Sequence, residues 1–202
     1  MVHFLSDCTY QKELIRKAIH ITLGVVTCVL IFYNIIEPFY LFIVLAITIV
    51  FSFFSRKKRL PIIGWFLEHF DRPEHFPAKG FITYLIGVIL SLELFPLPFA
   101  LAAIMVLALG DGVAALARPF SKRKTALSNK HLIEETIAGI VAGAIGAAFF
   151  VSLPLAIIAS SCAMLLEAIE VRFNNEILDD NILIPLAAGT SLLLLTKFGV
   201  FV

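Results

Sequence analysis

The sequence contains little charge and few cysteines. Charged residues make up 15% of the 202 residues and hydrophobic residues 60%, whereas roughly a quarter of a typical soluble protein is charged. This composition excludes an ordinary water-soluble domain and indicates an integral membrane protein. The cysteines Cys8, Cys28 and Cys162 are odd in number and lack the spacing of a metal site, so they predict neither zinc binding nor a disulfide framework.

An excess of positive charge is also missing. Sixteen Lys and Arg balance fifteen Asp and Glu, giving a net charge of +1, so no nucleic-acid partner is predicted. The first eighteen residues are charged and contain no short apolar core with a cleavage site, which argues against a removable signal peptide. Because no repeat, low-complexity segment or flexible linker occurs, residues 1–202 are interpreted as a single integral membrane domain.

Long apolar runs predict the helices that cross the membrane. A helix needs about 20 apolar residues to cross the hydrocarbon layer, and fewer where neighbouring helices shield it. The runs lie at residues 18–36, 39–54, 81–92, 99–109, 137–166 and 182–196. The fifth run is too long for one crossing, and Ser152-Leu153-Pro154 divides it. We therefore predict an all-α polytopic membrane protein with about seven transmembrane helices.

The positions of the basic residues predict the orientation of these helices. With seven crossings, fifteen of the sixteen Lys and Arg fall on one side of the membrane, and only Lys197 falls toward the other. Lys and Arg are enriched in cytoplasmic loops. The N-terminus is therefore predicted to be cytoplasmic and the C-terminus outside, in the cytoplasmic membrane or, in a eukaryotic cell, the endoplasmic reticulum.

Acidic and basic groups collect on the predicted cytoplasmic side. Gly110-Asp111-Gly112 places a carboxylate between two residues that allow close approach of a backbone to a ligand. Asp179-Asp180-Asn181 adds a second acidic group, and residues 118–130 form a basic loop. Carboxylates that hold a metal and cations that neutralise phosphate oxygens are what a magnesium-bound polyphosphate requires. Two simpler interpretations stay open, a helix cap at Asp179 and a positive-inside loop.

The first predicted helix carries a polar stripe. Arg16 and Lys17 lie four and three residues before His20, and Gly24 follows one turn later, so the four share one face. Anchoring at the membrane surface alone would explain Arg16 and Lys17. His20 lies inside the apolar run, where it is either a satisfied core residue or a functional one.

Glutamates also occur at predicted helix ends. Glu134 and Glu135 open the fifth helix, where the helix dipole favours carboxylates. Glu167 and Glu170 lie at the end of the sixth helix, where the dipole disfavours them. The second pair therefore requires a cation, either Arg172 or a metal.

Taken in order, these motifs resemble the CTP-dependent lipid-alcohol kinases: dolichol kinase, phytol kinase and the CTP-dependent diacylglycerol kinase, which share a core with the phosphatidate cytidylyltransferases. The resemblance covers residues 13–189 and rests on Arg16-Lys17-Ala18-Ile19-His20 with Gly24, Gly110-Asp111-Gly112-Val113-Ala114, Lys122-Arg123-Lys124, Ser128-Asn129-Lys130 with Glu134, Glu167, Asp179-Asp180-Asn181 and Pro185. The sequence departs from the family where glycines are replaced by Ala117, Ser121 and Glu135. These changes remove permissive backbone positions and add a negative charge near the expected phosphates.

The resemblance implies Mg²⁺-dependent transfer of the γ-phosphate of CTP to a lipid alcohol, either a polyprenol, another isoprenoid alcohol or diacylglycerol. It implies that Mg²⁺ is held by Asp111, Asp179 and Asp180. The nucleotide would be bound by Gly110, Gly112, Lys122, Lys124, Lys130 and Asn181. The catalytic residues would be Arg16, Lys17, His20, Asp111 and Glu134, with His20 or Glu134 as the base.

Three other functions fit parts of the pattern. A cytidylyltransferase would use the same groups with a phosphate acceptor and would release pyrophosphate. A transporter also has intramembrane charges, but they are expected near the middle of the membrane. A non-catalytic membrane protein would result if the departures abolish nucleotide binding. The sequence is compatible with CTP or ATP as donor, with any of these alcohols and with any oligomeric state.

Overall fold

The computed structural model describes residues 2–57, 77–118, 124–125, 128–169, 172–173 and 176–199. Within these ranges the chain forms seven helices, which are α1 (Val2–Phe32), α2 (Phe39–Lys57), α3 (Lys79–Leu94), α4 (Leu97–Ala117), α5 (Ile133–Ala147), α6 (Leu153–Ile169) and α7 (Asp180–Lys197). Two short antiparallel pairs join Lys124–Thr125 (β1) to Ser128–Leu132 (β2), and Arg172–Phe173 (β3) to Glu176–Ile177 (β4). The all-α prediction is confirmed, since the strands only form hairpins in the connections.

The helix boundaries follow the predicted apolar runs with two differences. The long fifth run is divided as expected, because α5 ends at Ala147 and α6 begins at Leu153. Helix α1 begins well before its apolar run, and an ion pair between Arg16 and Glu13, three residues apart, stabilises this charged part. Helix α4 continues beyond Leu109, through the two glycines, to Ala117. Gly110, Asp111 and Gly112 end the apolar run, but the helix continues through them.

Among the residues that the structure describes, two helical segments are long and apolar enough to cross a membrane. They are Glu13–Phe32, which is mostly exposed on the protein, and Leu97–Ala117, which is mostly buried inside it. Helices α2 and α6 contain shorter apolar segments, Phe39–Ser55 and Leu153–Ile169. The two long segments support a membrane location. Seven membrane crossings and their orientation stay a prediction.

Helix α4 forms the centre of the hydrophobic core. All nine side chains of residues 100–108 are buried, and α4 contacts α1, α3, α5, α6 and α7. In contrast, α2 packs against α3 and leaves most of its large apolar side chains exposed, among them Phe42, Ile47 and Phe51. An exposed apolar surface of this size is typical of contact with lipid or with another protein.

Glycines let the helices of the core approach closely. At Gly139 an added Cβ would lie 3.0 Å from the Gly110 carbonyl oxygen, and at Gly143 it would lie 3.5 Å from the Gly110 Cα. The small residues of α5 therefore pack against α4, which is a common arrangement where small residues recur every three or four positions on a helix. The tightest approach joins α3 to α7, where a Cβ at Gly87 would overlap the carbonyl oxygen of Asn181.

Gly87→Ala is expected to destabilise the protein by about 1–3 kcal/mol, because the added methyl group pushes the backbone of α7 away. Thermal unfolding of the purified protein in detergent measures the effect. Gly80→Ala is the matched control, since Gly80 lies in the same helix and a Cβ there meets no atom within 4 Å. Equal unfolding temperatures for the two variants would contradict the close α3–α7 contact.

Candidate functional site

A buried cluster of three ionisable residues joins α1 to α4. Lys17 Nζ donates a hydrogen bond to Asp111 Oδ2 at 2.5 Å. His20 Nε2 lies 3.6 Å from the same oxygen, and Asp111 is only 5% exposed. A buried carboxylate requires a compensating partner, and the Lys17 ammonium group supplies the opposite charge. Lys17 and His20, three residues apart on α1, thus face one carboxylate that lies 94 positions from Lys17 in the sequence. We call Lys17, His20 and Asp111 the α1–α4 cluster.

A π-helical turn brings Asp111 to this position. Residues Val106–Asp111 form a π-helix within α4, which returns to α-helix at Gly112. A single π turn changes the direction of the side chains that follow it, and such turns are frequent at functional sites. The carbonyl group of Leu107, inside this turn, interacts with the His20 ring. The turn therefore contributes both a carboxylate and a backbone carbonyl to the surroundings of His20.

Gly110 and Gly112 lie in contacts between helices. An added Cβ at Gly110 would lie 3.0 Å from Met164 Sδ of α6, and one at Gly112 would overlap Ile21 of α1. Both glycines are buried. The close packing of α1 and α6 against α4 therefore explains why glycines flank Asp111. Nucleotide binding by Gly110 and Gly112 stays a prediction.

Glu167 of α6 extends the polar site beyond the α1–α4 cluster. This residue is 4% exposed, and its carboxylate interacts electrostatically with Asp111, Asp180, Lys17 and Glu135. The end of α4, the start of α5, the end of α6 and the start of α7 consequently lie together at one end of the helix bundle. We call this end of the bundle, which carries the α1–α4 cluster and Glu167, the polar end.

The start of α7 is fixed by Asp179 and Asn181. Asp179 Oδ1 accepts a hydrogen bond from the Asn181 backbone N–H at 3.1 Å, so Asp179 is the N-cap of the helix. The side-chain amide of Asn181 donates to the Gly80 carbonyl oxygen at 3.3 Å and to Thr83 Oγ1 at 3.0 Å. These bonds join α7 to α3. Asp180, the next candidate metal ligand, is exposed.

The described residues do not fit a preformed magnesium site. No three or more His, Cys, Asp and Glu side chains in this part of the chain are arranged to hold a metal ion. Asp111 is already paired with Lys17, and Asp179 caps α7. Binding of Mg²⁺ by Asp111, Asp179 and Asp180 therefore stays a prediction. The proposed chemistry contains no step at a resident metal.

Glu135, which departs from the family pattern, has a cationic partner. It is 1% exposed, and its carboxylate accepts hydrogen bonds from Arg118 Nε at 3.2 Å and from Arg118 Nη2 at 3.5 Å. Burial favours a lower pKa for the Arg118 guanidinium, but the Glu135 carboxylate outweighs it and raises the pKa above its ordinary value. The negative charge of Glu135 is thus balanced within the protein.

The remaining predicted residues are spread around the polar end or fall outside the described part. Arg16 pairs with Glu13, and Glu134 is exposed at the start of α5. Lys124 lies in β1 and Lys130 in β2, where only the backbone is described. Lys122, Ser121 and Glu170 lie outside the described residues.

Tyr84 of α3 was missed by the sequence analysis. Its ring packs edge-on against His20, with 4.4 Å between the ring centroids, and the residue is 3% exposed. A tyrosine within the apolar run of residues 81–92 was the available signal, since a buried hydroxyl group normally needs a partner. The helix that would place it beside His20 could not be identified from the sequence.

An apolar groove of about 320 Å³ runs along the opposite face of α1. It is lined by Ile15, Ala18, Ile19, Thr22 and Leu23. By helical periodicity this face lies on the far side of α1 from Lys17, His20 and Gly24. The groove therefore does not open onto the α1–α4 cluster.

Comparison with protein families, with curated proteins and with solved structures finds no match to this chain. The likeness to lipid-alcohol kinases consequently rests on the motifs quoted above.

Proposed function

We propose that the protein is a membrane-embedded lipid kinase that transfers the γ-phosphate of a nucleoside triphosphate to the hydroxyl group of a lipid alcohol. The observation that supports this most strongly is the α1–α4 cluster. It places a histidine, a carboxylate and an ammonium group in contact, between the two helices that are long enough to cross a membrane. Such groups are expensive to bury in a membrane domain and usually mark a functional site.

His20 has the surroundings expected of a general base. Nε2 has no hydrogen-bond partner among the described residues, and in the tautomer that carries its proton on Nδ1 this nitrogen accepts a proton. The Asp111 carboxylate, 3.6 Å away, would stabilise the imidazolium that forms.

The proposed step moves the γ-phosphoryl group from the nucleotide to the oxygen of the lipid hydroxyl group. His20 Nε2 takes the proton of the lipid hydroxyl group while the oxygen attacks the γ-phosphorus. The bond between the γ-phosphorus and the oxygen bridging to the β-phosphorus breaks, and its electron pair leaves with the nucleoside diphosphate. Lys17 and Arg16 would offset the negative charge of the phosphoryl group in transfer. The products are a lipid phosphate and a nucleoside diphosphate, and the proton on His20 is released to water.

The motifs favour CTP as the phosphate donor, and the distribution of basic residues favours the cytoplasmic side of the membrane. CTP is proposed because the resemblance is to CTP-dependent kinases, and Mg²⁺ would arrive with the nucleotide. The positive-inside distribution of Lys and Arg supports a cytoplasmic location for the polar end. A water-soluble nucleotide and a membrane-bound alcohol would meet at that boundary.

Transfer of radioactive label tests the proposal. The purified protein in nanodiscs is given Mg²⁺, a panel of prenols and diacylglycerol, and CTP or ATP labelled at the α- or γ-phosphate. We expect label from the γ-phosphate in the lipid and release of a nucleoside diphosphate. Label from the α-phosphate in the lipid, with release of pyrophosphate, would indicate a cytidylyltransferase instead. Absence of label from the lipid with every alcohol and nucleotide would overturn the proposal.

A further inference from the structure

Tyr84 carries a buried hydroxyl group without a hydrogen-bond partner among the described residues. The residue is 3% exposed. Buried polar groups are nearly always paired, so an exception in a folded protein calls for a ligand or a water molecule. The ring itself is well packed, since its edge contacts His20.

The unpaired hydroxyl group lies between α1, α3 and α4. A Cβ added at Gly24 would lie 2.7 Å from Tyr84 Oη and would overlap Ala108 of α4. Gly24 follows His20 by one helical turn, so Tyr84 contacts the same face of α1 that carries the α1–α4 cluster. Asp111 is close enough to interact electrostatically with the Tyr84 hydroxyl group.

His20 Nε2 is another buried polar atom without a hydrogen-bond partner in the described part of the chain, and it lies 3.6 Å from Asp111 Oδ2. Its ring and the ring of Tyr84 are 4.4 Å apart between centroids. In the tautomer that carries its proton on Nδ1, Nε2 is an acceptor, whereas the Tyr84 hydroxyl group is a donor. An alcohol can donate to the first and accept from the second. An ether or a hydrocarbon cannot satisfy both groups.

We propose that Tyr84 is a substrate-binding residue, which donates a hydrogen bond to the hydroxyl oxygen of a lipid alcohol while that hydroxyl group donates to His20 Nε2. The inference rests on the proposed function for the class of ligand. It adds a residue that none of the quoted motifs contains, and it explains why both polar atoms are left unpaired. The two hydrogen bonds would hold the reacting oxygen beside the base and select alcohols over molecules of the same shape without a hydroxyl group.

Binding without nucleotide tests this role separately from phosphoryl transfer. Affinities of the purified protein for geranylgeraniol and for its methyl ether, which cannot donate, are compared in wild type and Tyr84→Phe. We expect wild type to prefer the alcohol, because the ether cannot donate to His20 Nε2. We expect Tyr84→Phe to bind the alcohol roughly tenfold more weakly and the ether more weakly as well, because either oxygen can accept a hydrogen bond from Tyr84. Tyr33→Phe and Tyr40→Phe are controls with the same atomic change at exposed positions. In a transfer assay, Tyr84→Phe should raise KM for the alcohol and leave KM for the nucleotide unchanged.

The outcomes separate this inference from the proposed function. Weaker alcohol binding in Tyr84→Phe but not in Tyr33→Phe or Tyr40→Phe, in a protein that transfers no phosphate, would support the role of Tyr84 and reject the kinase. Phosphoryl transfer with equal alcohol binding in Tyr84→Phe and wild type would reject the role of Tyr84 and leave the kinase standing. Equal affinity of wild type for the alcohol and the ether would also reject it. A much lower unfolding temperature for Tyr84→Phe would show that the hydroxyl group has a structural partner, which overturns the inference.

Discussion

Replacing Lys17 by Met is expected to lower the free energy of unfolding by about 3–5 kcal/mol, because it leaves the Asp111 carboxylate buried without its cation. Asp111 is 5% exposed, and the Lys17 side chain is 13% exposed, so water replaces little of the lost interaction. His20 lies 3.6 Å away and can compensate only if it takes up a proton. Thermal and denaturant unfolding in detergent measure the loss.

Two further variants show whether the buried pair is the cause. In Lys17→Met with Asp111→Leu, both charges are removed together, and stability should return close to that of wild type. Arg16→Met removes the neighbouring cation, which pairs with Glu13 at a more exposed position, and should cost about 0–1 kcal/mol. If Lys17→Met and Arg16→Met were equally stable, the Lys17–Asp111 contact would not have the strength assigned to it.

The substitution His20→Gln is expected to lower kcat by about 10²- to 10⁴-fold, the usual contribution of a general base. Glutamine keeps a polar side chain of similar reach but does not accept a proton at neutral pH. KM for the nucleotide should stay unchanged, since the phosphates are assigned to the cationic residues. Initial rates of label transfer at saturating CTP measure the effect.

Thr22→Val is the control for His20→Gln. Thr22 lies on the same helix, but its side chain is exposed and donates only to the Ala18 carbonyl oxygen four residues earlier. Its substitution should leave both kcat and KM at wild-type values. A His20→Gln enzyme with wild-type kcat would assign the base to another residue, with Glu134 the next candidate.

The sequence predicted the architecture well where apolar periodicity controls it. The runs of apolar residues gave the positions of the helices, and Ser152-Leu153-Pro154 gave the division between α5 and α6. The π-helical turn at Val106–Asp111 was not predicted, because glycine and aspartate next to an apolar run are as typical of a helix end. Packing of Gly112 against Ile21 and of Gly110 against Met164 keeps the chain helical there. These are tertiary contacts, which a local pattern does not contain.

The candidate site was predicted as a set of residues, but not as a set of contacts. The polar stripe of α1 and the aspartate of Gly110-Asp111-Gly112 were both identified, yet their pairing depends on how α1 packs against α4. The contact between Arg118 and Glu135 joins residues that are 17 positions apart in the sequence, so it too depends on how the helices pack. Tyr84 was missed because its role follows from its neighbours and not from its own sequence motif.

The positions of the buried charges bear on the alternative of a transporter. Asp111, Glu135 and Glu167 are buried carboxylates of the described residues, and Glu167 interacts electrostatically with the other two at the polar end. A transporter is expected to place its binding groups near the middle of the membrane, often at breaks in helices. The collection of these groups at one end of the bundle favours a reaction at the membrane surface over passage through the membrane.

The transfer rate of the Lys17→Met, Asp111→Leu double variant tests the reaction centre most directly. The variant is first shown to unfold at a temperature close to that of wild type, so that loss of structure is removed as an explanation. Our account predicts that wild type moves label from the γ-phosphate of CTP to a lipid alcohol and that the double variant moves none above background. Transfer at the wild-type rate by the folded double variant would contradict it.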